Sequence, residues 1–417
     1  MAYTETKNTS WLERLGGSFS GIVTGLVLVL LGSWLLWWNE GRTYRTAGAI
    51  GEAQLMTQDV KDITTADPAL DGKLIHATGR ADTQDMLMDQ AFGVSATAIK
   101  LERNVEYCQW VEKQKSEKRK KLGGGEETVT TYTYSKEWVS SPVNSANFHD
   151  PDYNGTYGAR GDKGPNDSLA SFENLKSYAQ NVTFGAYKLP DFFVHSISGA
   201  QPMTLRPESV DVAAITAGIH MSELYTRRYN MMDVTSPDQF VHVSGNTIYI
   251  GQNPGSPRIG DVRVSFRQTP PADISIIAKV TGNTFEEFIA SNEERFSRLS
   301  MGQASMEKMF ADAKSGNRTM AWILRAVGAI VVILGLRTVF SPLAVLVGVL
   351  PILETIVGAG LGVASFLLGL AWSCVVIAVA WVRFRPLLAG GLLAAAAVFF
   401  ALTFLRGKKN AQDTSAA

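Results

Sequence analysis

The sequence predicts an α+β membrane protein, a β-rich extramembrane domain carried on a base of about four transmembrane helices. Two observations lead there. Apolar residues are concentrated at 19–38 and again between 319 and 405, and the long polar stretch between them alternates apolar and polar side chains. A bilayer core needs about 20 apolar residues per helical crossing, and a period of two marks strands with one wet face. Bulk composition hides this division, because a formal net charge of +0 and 46% hydrophobic residues would suit a soluble protein.

Residues 1–18 are read as a cytoplasmic N-terminus and 19–38 as the first crossing. This run is too long for the apolar region of a signal peptide, and Trp34, Trp37 and Trp38 stand where a cleavage site needs small residues. The tryptophans suit an aromatic belt at the interface. Gly17, Gly21 and Gly25 recur every four residues, as do Gly358 and Gly362 later, a spacing that allows close helix contact. Asn39, Glu40, Gly41 and Arg42 follow at the water boundary. They mark either a simple stop and turn or a polar seam, in which Glu40 and Arg42 pair with each other or with Arg325 from another crossing.

Residues 39–318 form the predicted domain. Ile99, Leu101, Val105, Tyr107 and Val111 take one parity against Lys100, Glu102, Asn104 and Glu106, and Tyr132, Tyr134 and Trp138 repeat the pattern. A charged run closed by Gly123, Gly124 and Gly125 separates them, which predicts a long hairpin. Its tip collects Lys113, Lys115, Lys118, Arg119, Lys120 and Lys121, either a solvated loop or a contact for anionic lipid or an acidic partner. Residues 260–266 read as another strand, paired with 274–280 across Pro270 and Pro271. Helical character is expected near 167–179 and 205–232, and a charged helical connector over 285–318.

The second crossing is placed at 319–340, with Arg325 and Arg337 snorkelling from near its ends. Pro342 and Pro351 interrupt the next stretch, so 341–354 is read as a re-entrant or interfacial segment. Crossings at 355–382 and 386–405 and a basic tail at 406–417 complete the chain. Four crossings put both termini on one side. Lys7, Arg14, Arg337, Arg406, Lys408 and Lys409 favour the cytoplasm for them against Arg42, Arg45, Arg383 and Arg385, and so place the domain outside it.

Catalytic signatures are absent from the sequence. Two cysteines, Cys108 and Cys374, provide no disulfide framework, and five scattered histidines form no HxxxH or HExxH pair for a metal. His149 and Asp152 are close in sequence, but a proline between them suggests a turn. There is no GxSxG elbow and no phosphate-cradling glycine loop.

Asn39-Glu40-Gly41-Arg42, VEYCQWVE at 105–112, YSKEW at 134–138, NSANF at 144–148, GDVRVSF at 260–266 and FRPL at 384–387 occur in this order. As a set they resemble the recurring blocks of the transmembrane protein 43 (LUMA) family. The resemblance implies one amino-terminal crossing, a large lumenal domain, a carboxy-terminal membrane cluster, self-association and contacts with other membrane proteins. For an animal protein it implies the endoplasmic reticulum and inner nuclear membrane, and a bacterial member would sit in the inner membrane with a periplasmic domain. The family brings no enzymatic reaction and no cofactor. The expectation is therefore a non-enzymatic scaffold with the bilayer, other copies and membrane proteins as partners, and no nucleic acid. A channel or transporter built from the helices and a membrane-proximal hydrolase or lipid-modifying enzyme are the alternatives.

Overall fold

The computed structural model describes residues 2–155, 163–220, 222–229, 237–387 and 389–390. In chain order its main elements are strand β1 (Ala2–Thr9), helix α1 (Trp11–Met56), β2 (Leu74–Thr83), β3 (Lys100–Lys120) and β4 (Glu126–Val139). They continue with β5 (Thr247–Ile250), β6 (Val262–Thr269), β7 (Ala272–Thr281), β8 (Arg298–Met301) and the helices α2 (Met306–Leu346) and α3 (Pro351–Phe384).

Three described helices, α1, α2 and α3, are long and apolar enough to cross a membrane. The expected crossing at 386–405 lies, from residue 391 onward, outside the described residues. Alpha1 starts at a capping box, where Ser10 accepts from the Glu13 amide while the Glu13 carboxylate accepts from the Ser10 amide. The stretch 341–354, expected as a re-entrant or interfacial segment, is divided between the end of α2, a turn at 347–350 and the start of α3. Alpha2 runs through Pro342 to Leu346, and α3 begins at Pro351. A proline in the first turn loses nothing, because its missing N–H has no helical partner there anyway.

Alpha1 and α2 pack antiparallel, and glycines set their separation. A Cβ on Gly25 would stand 2.6 Å from the Gly335 oxygen, and one on Gly32 would stand 2.9 Å from the Gly328 oxygen. Gly369 of α3 is equally tight, its Cβ position lying 2.5 Å from Ile333 Cγ1. The spacing at the contact is therefore seven on each helix, Gly25 and Gly32 against Gly335 and Gly328. Of the other glycines singled out in the sequence, Gly21 and Gly358 would make only ordinary contacts with Thr338 and Ala344, and Gly17 and Gly362 face open space.

Two large sheets make up most of the domain, beside two short strand pairs. One has the order β1, β4, β3, β6, β5, all antiparallel neighbours, with Val264 of β6 opposite Val105 and Lys113 opposite Thr133. The other centres on β7, which pairs with β2 and with β8. The expected pairing of 274–280 with 260–266 does not occur, since Pro270 lies where the chain passes from one sheet to the other. Leu175–Tyr178, in a stretch expected to be helical, is a strand on β3. Within 205–232, Val212–Ala217 and Glu223–Tyr229 are short helices.

The 285–318 connector is helical only from Met306. Before it, Phe288 and Phe296 lie on a short strand pair and pack with Ala49, Ile50 and Phe310, so burial of these rings overrides the helical character of the charged residues between them. This cluster is the joint between helices and domain.

One feature reaches beyond the domain. Beta3 and β4 form a ribbon whose outer half carries β1 on its β4 edge, with Thr4 opposite Thr131. Ile99, at the base of β3, packs in the core with Ile75 and Ile276, whose chain neighbours Leu74 and Ile277 pack on Ala49 and Ile50 of α1. The tip is at the other end of the bundle, where the Gly123 amide donates to the Val349 oxygen and the Trp11 indole to the Val345 oxygen. The lengths agree: 21 strand residues span ~70 Å at about 3.3 Å each, and 46 helical residues span ~69 Å at about 1.5 Å each. The ribbon thus runs the length of the helical bundle.

Replacing Gly25 or Gly32 by valine overpacks the α1–α2 contact and is expected to cost about 1–3 kcal/mol, whereas Gly17→Ala leaves stability unchanged. Thermal unfolding of the detergent-solubilised protein checks this, and equal shifts for Gly17 and Gly25 variants would contradict the packing.

Candidate functional site: a buried polar seam between helices and domain

Immediately after the tryptophans, α1 presents four residues to its neighbours. Glu40 is 0% exposed and accepts two hydrogen bonds from Arg325 of α2, from Nε at 2.6 Å and from Nη2 at 2.8 Å. A third comes from the Trp381 indole of α3 at 2.8 Å. Arg325 is in turn flanked by the rings of Trp322 and Trp381, at 4.8 and 5.9 Å from its guanidinium carbon. A carboxylate in this environment is tolerable only when paired and fully hydrogen-bonded. Both conditions are met here, by one residue from each helix.

The neighbours extend the seam. Asn39 donates through Nδ2 to the Ala321 oxygen at 3.0 Å, and Asn317 donates to the Thr43 oxygen at 3.0 Å. Gly41 has no room for a side chain, since a Cβ there would stand 2.8 Å from the Phe384 ring. Arg42 turns away from Glu40 and reaches Asn39 Oδ1 at 3.5 Å and Thr43 Oγ1 at 3.4 Å. Asn39, Glu40 and Arg325 are thus brought together, with Arg42 at the edge. Trp381 escaped the sequence reading, although it lies three residues before the FRPL block.

A second polar clasp closes the opposite end. Glu354 accepts from Arg14 and sits 3.1 Å from Lys120 Nζ, joining α3, α1 and the ribbon tip. Arg14 also donates to the Gly124 oxygen. Glu354 is the only acidic residue between 319 and 405, and a lone carboxylate in an apolar region must find a cation, so the signal was present.

The hairpin cations are not free. Lys113 pairs with Glu137, Lys115 and Arg119 with Glu117, Lys118 with Glu126, Lys120 with Glu354 and Lys121 with Glu127. Each cation of the cluster that dominates the sequence thus has a carboxylate within reach in the same chain. His149 binds Glu112 at 2.9 Å while Asp152 binds Lys163 at 2.6 Å, so the two face different partners. Among the described residues no group of three or more His, Cys, Asp or Glu is placed to hold a metal.

The domain has its own buried acid. Asp261 is fully buried and accepts from the Tyr225 hydroxyl at 2.7 Å, the Tyr249 hydroxyl and the Arg258 amide at 2.7 Å. Burial holds its carboxyl above the usual range despite these donors and pushes nearby Cys108 up to about 11. Through Tyr225 this acid pins the helix Glu223–Tyr229 to the sheet.

Two outcomes follow for stability. Arg325→Met leaves Glu40 buried without a counterion and is expected to cost about 3–5 kcal/mol; adding Glu40→Met restores most of it, and chemical denaturation of the three proteins measures both. Because the folded pKa of Asp261 is raised, its contribution is complete below the ordinary carboxylate range and is lost as pH rises through its folded value. Asp261→Asn should flatten that part of the stability profile, whereas Asp261→Ala should destabilise at every pH by leaving the buried Tyr225 phenol without its acceptor.

A family profile described as Transmembrane protein 43 matches residues 107–386. The chain is 28% identical to Transmembrane protein 43 of Rattus norvegicus over 97% of its own length and 95% of the relative's. It is 27% identical to the Homo sapiens protein over 90% of the chain and 88% of the relative, and 25% identical to the Drosophila melanogaster homolog over 92% and 94%. No solved structure matches. With an ordered profile match over most of its length and three helices suited to a bilayer, the chain belongs to the transmembrane protein 43 family of membrane proteins.

Proposed function

We propose that the protein is a non-enzymatic membrane scaffold that self-associates, with its ribbon turned to the inside of the assembly and its domain recruiting other membrane proteins. The observation that carries this reading is the ribbon itself. Over its outer half, β3 reads KQKSEKRK from 113 to 120, β4 reads EETVTTYT from 126 to 133 and β1 reads AYTETKNT, so both faces are polar. The helices alongside expose Leu26, Leu30, Trp34, Ile330 and Phe366, a surface made for lipid.

Polar strands with unpaired edges have no place in hydrocarbon, where each unsatisfied backbone group costs several kcal/mol. Among the described residues, no strand pairs with the outer edge of β1 or with the β3 edge over 113–120. A ring of copies resolves both problems, because helical bundles face lipid while ribbons face one another across an enclosed, wet interior. The body of the domain then stands at the seam end, outside the cytoplasm, and the amino terminus and ribbon tip at the cytoplasmic end. In an animal cell the family resemblance supports the endoplasmic reticulum and inner nuclear membrane as the location.

Mass photometry of the protein in nanodiscs tests the reading. Particles of several chains are expected, together with disulfide-linked dimers when Thr6→Cys and Glu117→Cys are combined with Cys374→Ser. Residues 6 and 117 face the same row two strands apart, ~9.6 Å at about 4.8 Å per strand, too far for a disulfide within one chain. A strictly monomeric particle whose ribbon is labelled by lipid-soluble probes overturns the proposal.

A further inference from the structure

Beside the seam lies a cavity of about 330 Å3 whose lining includes Thr43, Lys314, Asn317, Arg318, Arg325 and Arg385. Four of its nine lining residues are cationic. Arg325 is committed to Glu40, and Lys314 hydrogen-bonds the Gln54 side chain at 2.5 Å. Arg318 and Arg385 have no carboxylate partner among the described residues. The cavity therefore carries an uncompensated positive charge contributed by α2 and by the end of α3.

A second, independent feature points the same way. Asn317 is 9% exposed, its Nδ2 is bound to the Thr43 oxygen, and its Oδ1 has no partner. A buried acceptor without a donor costs about 1–3 kcal/mol, which a ligand hydroxyl or ammonium reaching it from the cavity that Asn317 lines would recover. A mainly apolar groove of about 610 Å3 adjoins the cavity, sharing Ala47 and Arg385 with it and continuing over Tyr44, Phe384 and Leu387. Phe384 contacts Trp37 of the aromatic belt, ring centroids 5.6 Å apart, so groove and cavity sit at the level of the membrane interface.

We infer that this place binds an anionic phospholipid. Its phosphodiester sits between Arg318 and Arg385, its headgroup hydroxyl donates to Asn317 Oδ1, and an acyl chain lies along Phe384 and Leu387. Arginine suits the role, since its fork of donors matches two phosphate oxygens at once. Basic pockets between membrane helices use the same chemistry to hold lipid headgroups. A hydrated inorganic anion would satisfy the arginines but would leave the apolar groove empty.

The test uses the full-length protein in nanodiscs of phosphatidylcholine, with and without phosphatidylglycerol, read by native mass spectrometry. The intact protein is expected to retain phosphatidylglycerol at least tenfold over phosphatidylcholine, and Arg318→Gln with Arg385→Gln abolishes that preference. Lys308→Gln, an exposed cation on the same helix, leaves it intact. A photoactivatable phosphatidylglycerol should crosslink to 314–318 and 384–387 in the unmodified protein, which keeps the test decisive if the double variant folds poorly. No preference in the intact protein, an unchanged preference in a folded double variant, or crosslinks confined to other segments would overturn the inference. Competition by soluble glycerol phosphate at equal concentration would also overturn it, by identifying a free phosphoester as the ligand. Each readout is lipid per chain and does not depend on how many chains assemble.

Discussion

The base of this protein is organised around the burial of Glu40. Once that carboxylate lies among helices, the remaining geometry is strongly constrained, because an ion left alone in such surroundings costs far more than a fold can spare. Arg325 must come from α2 at one height, and Trp381 must come from α3 at the same height. Gly41 must stay bare so that Phe384 can close over the turn. The pair therefore fixes the axial register of three helices in the way a buried polar residue fixes register in a coiled coil. Gly25 and Gly32 then decide how closely α1 and α2 approach, and they meet Gly335 and Gly328 only in the register that the seam imposes.

A second constraint acts at the opposite end. Glu354 gathers Arg14 and Lys120, and Trp11 and Gly123 cap the turn between α2 and α3 with hydrogen bonds. With both ends clasped, the ribbon cannot swing free of the bundle, and its polar faces are held beside apolar helices. This juxtaposition is unfavourable for a lone chain in lipid, and the proposed assembly would relieve it by enclosing the ribbons. A large hydrophobic driving force is not needed for that, since helix association in a bilayer rests on packing and on satisfying polar groups.

Much of this was legible in the sequence where a periodic apolar pattern existed. The apolar run at 19–38 lies within α1, and the inner part of the β3–β4 hairpin and the strand at 262–269 each have one dry face that burial followed, whereas the charged run 113–120, expected at the hairpin tip, continues β3. Beta1 was invisible because its partner is as polar as itself, so no alternation of hydrophobicity marks it. The strands before Met306 were hidden by charges, because the residues of that run recruited to the core, Phe285, Phe288, Ala290, Phe296 and Ala304, stand apart among charged and polar ones. Glycine spacing misled by its commonest form, since the contact repeats at seven and the eye is drawn to four. In the seam, Glu40 and Arg325 were readable as charges without water, whereas Trp381 and Asn317 needed the fold to bring distant heights together.

The balance of charge along the bundle differs at its two ends, and that difference is a property of the folded protein. At the ribbon end every cation of the clasp has a carboxylate, some of them shared: Arg14 and Lys120 share Glu354, Lys118 has Glu126 and Lys121 has Glu127. At the seam, Glu40 is fully used by Arg325, leaving Arg42, Arg318 and Arg385 without a carboxylate among the described residues. Orientation during insertion depends on counting lysines and arginines before any of these pairs exist. What survives folding is what that count leaves after internal pairing: cations that share carboxylates at the ribbon end, and arginines without a carboxylate among the described residues at the seam. An excess cation at a membrane interface is stable when anionic headgroups lie within a Debye length. The pairing that holds the helices in register thus also leaves the seam in need of an anion that the chain does not supply.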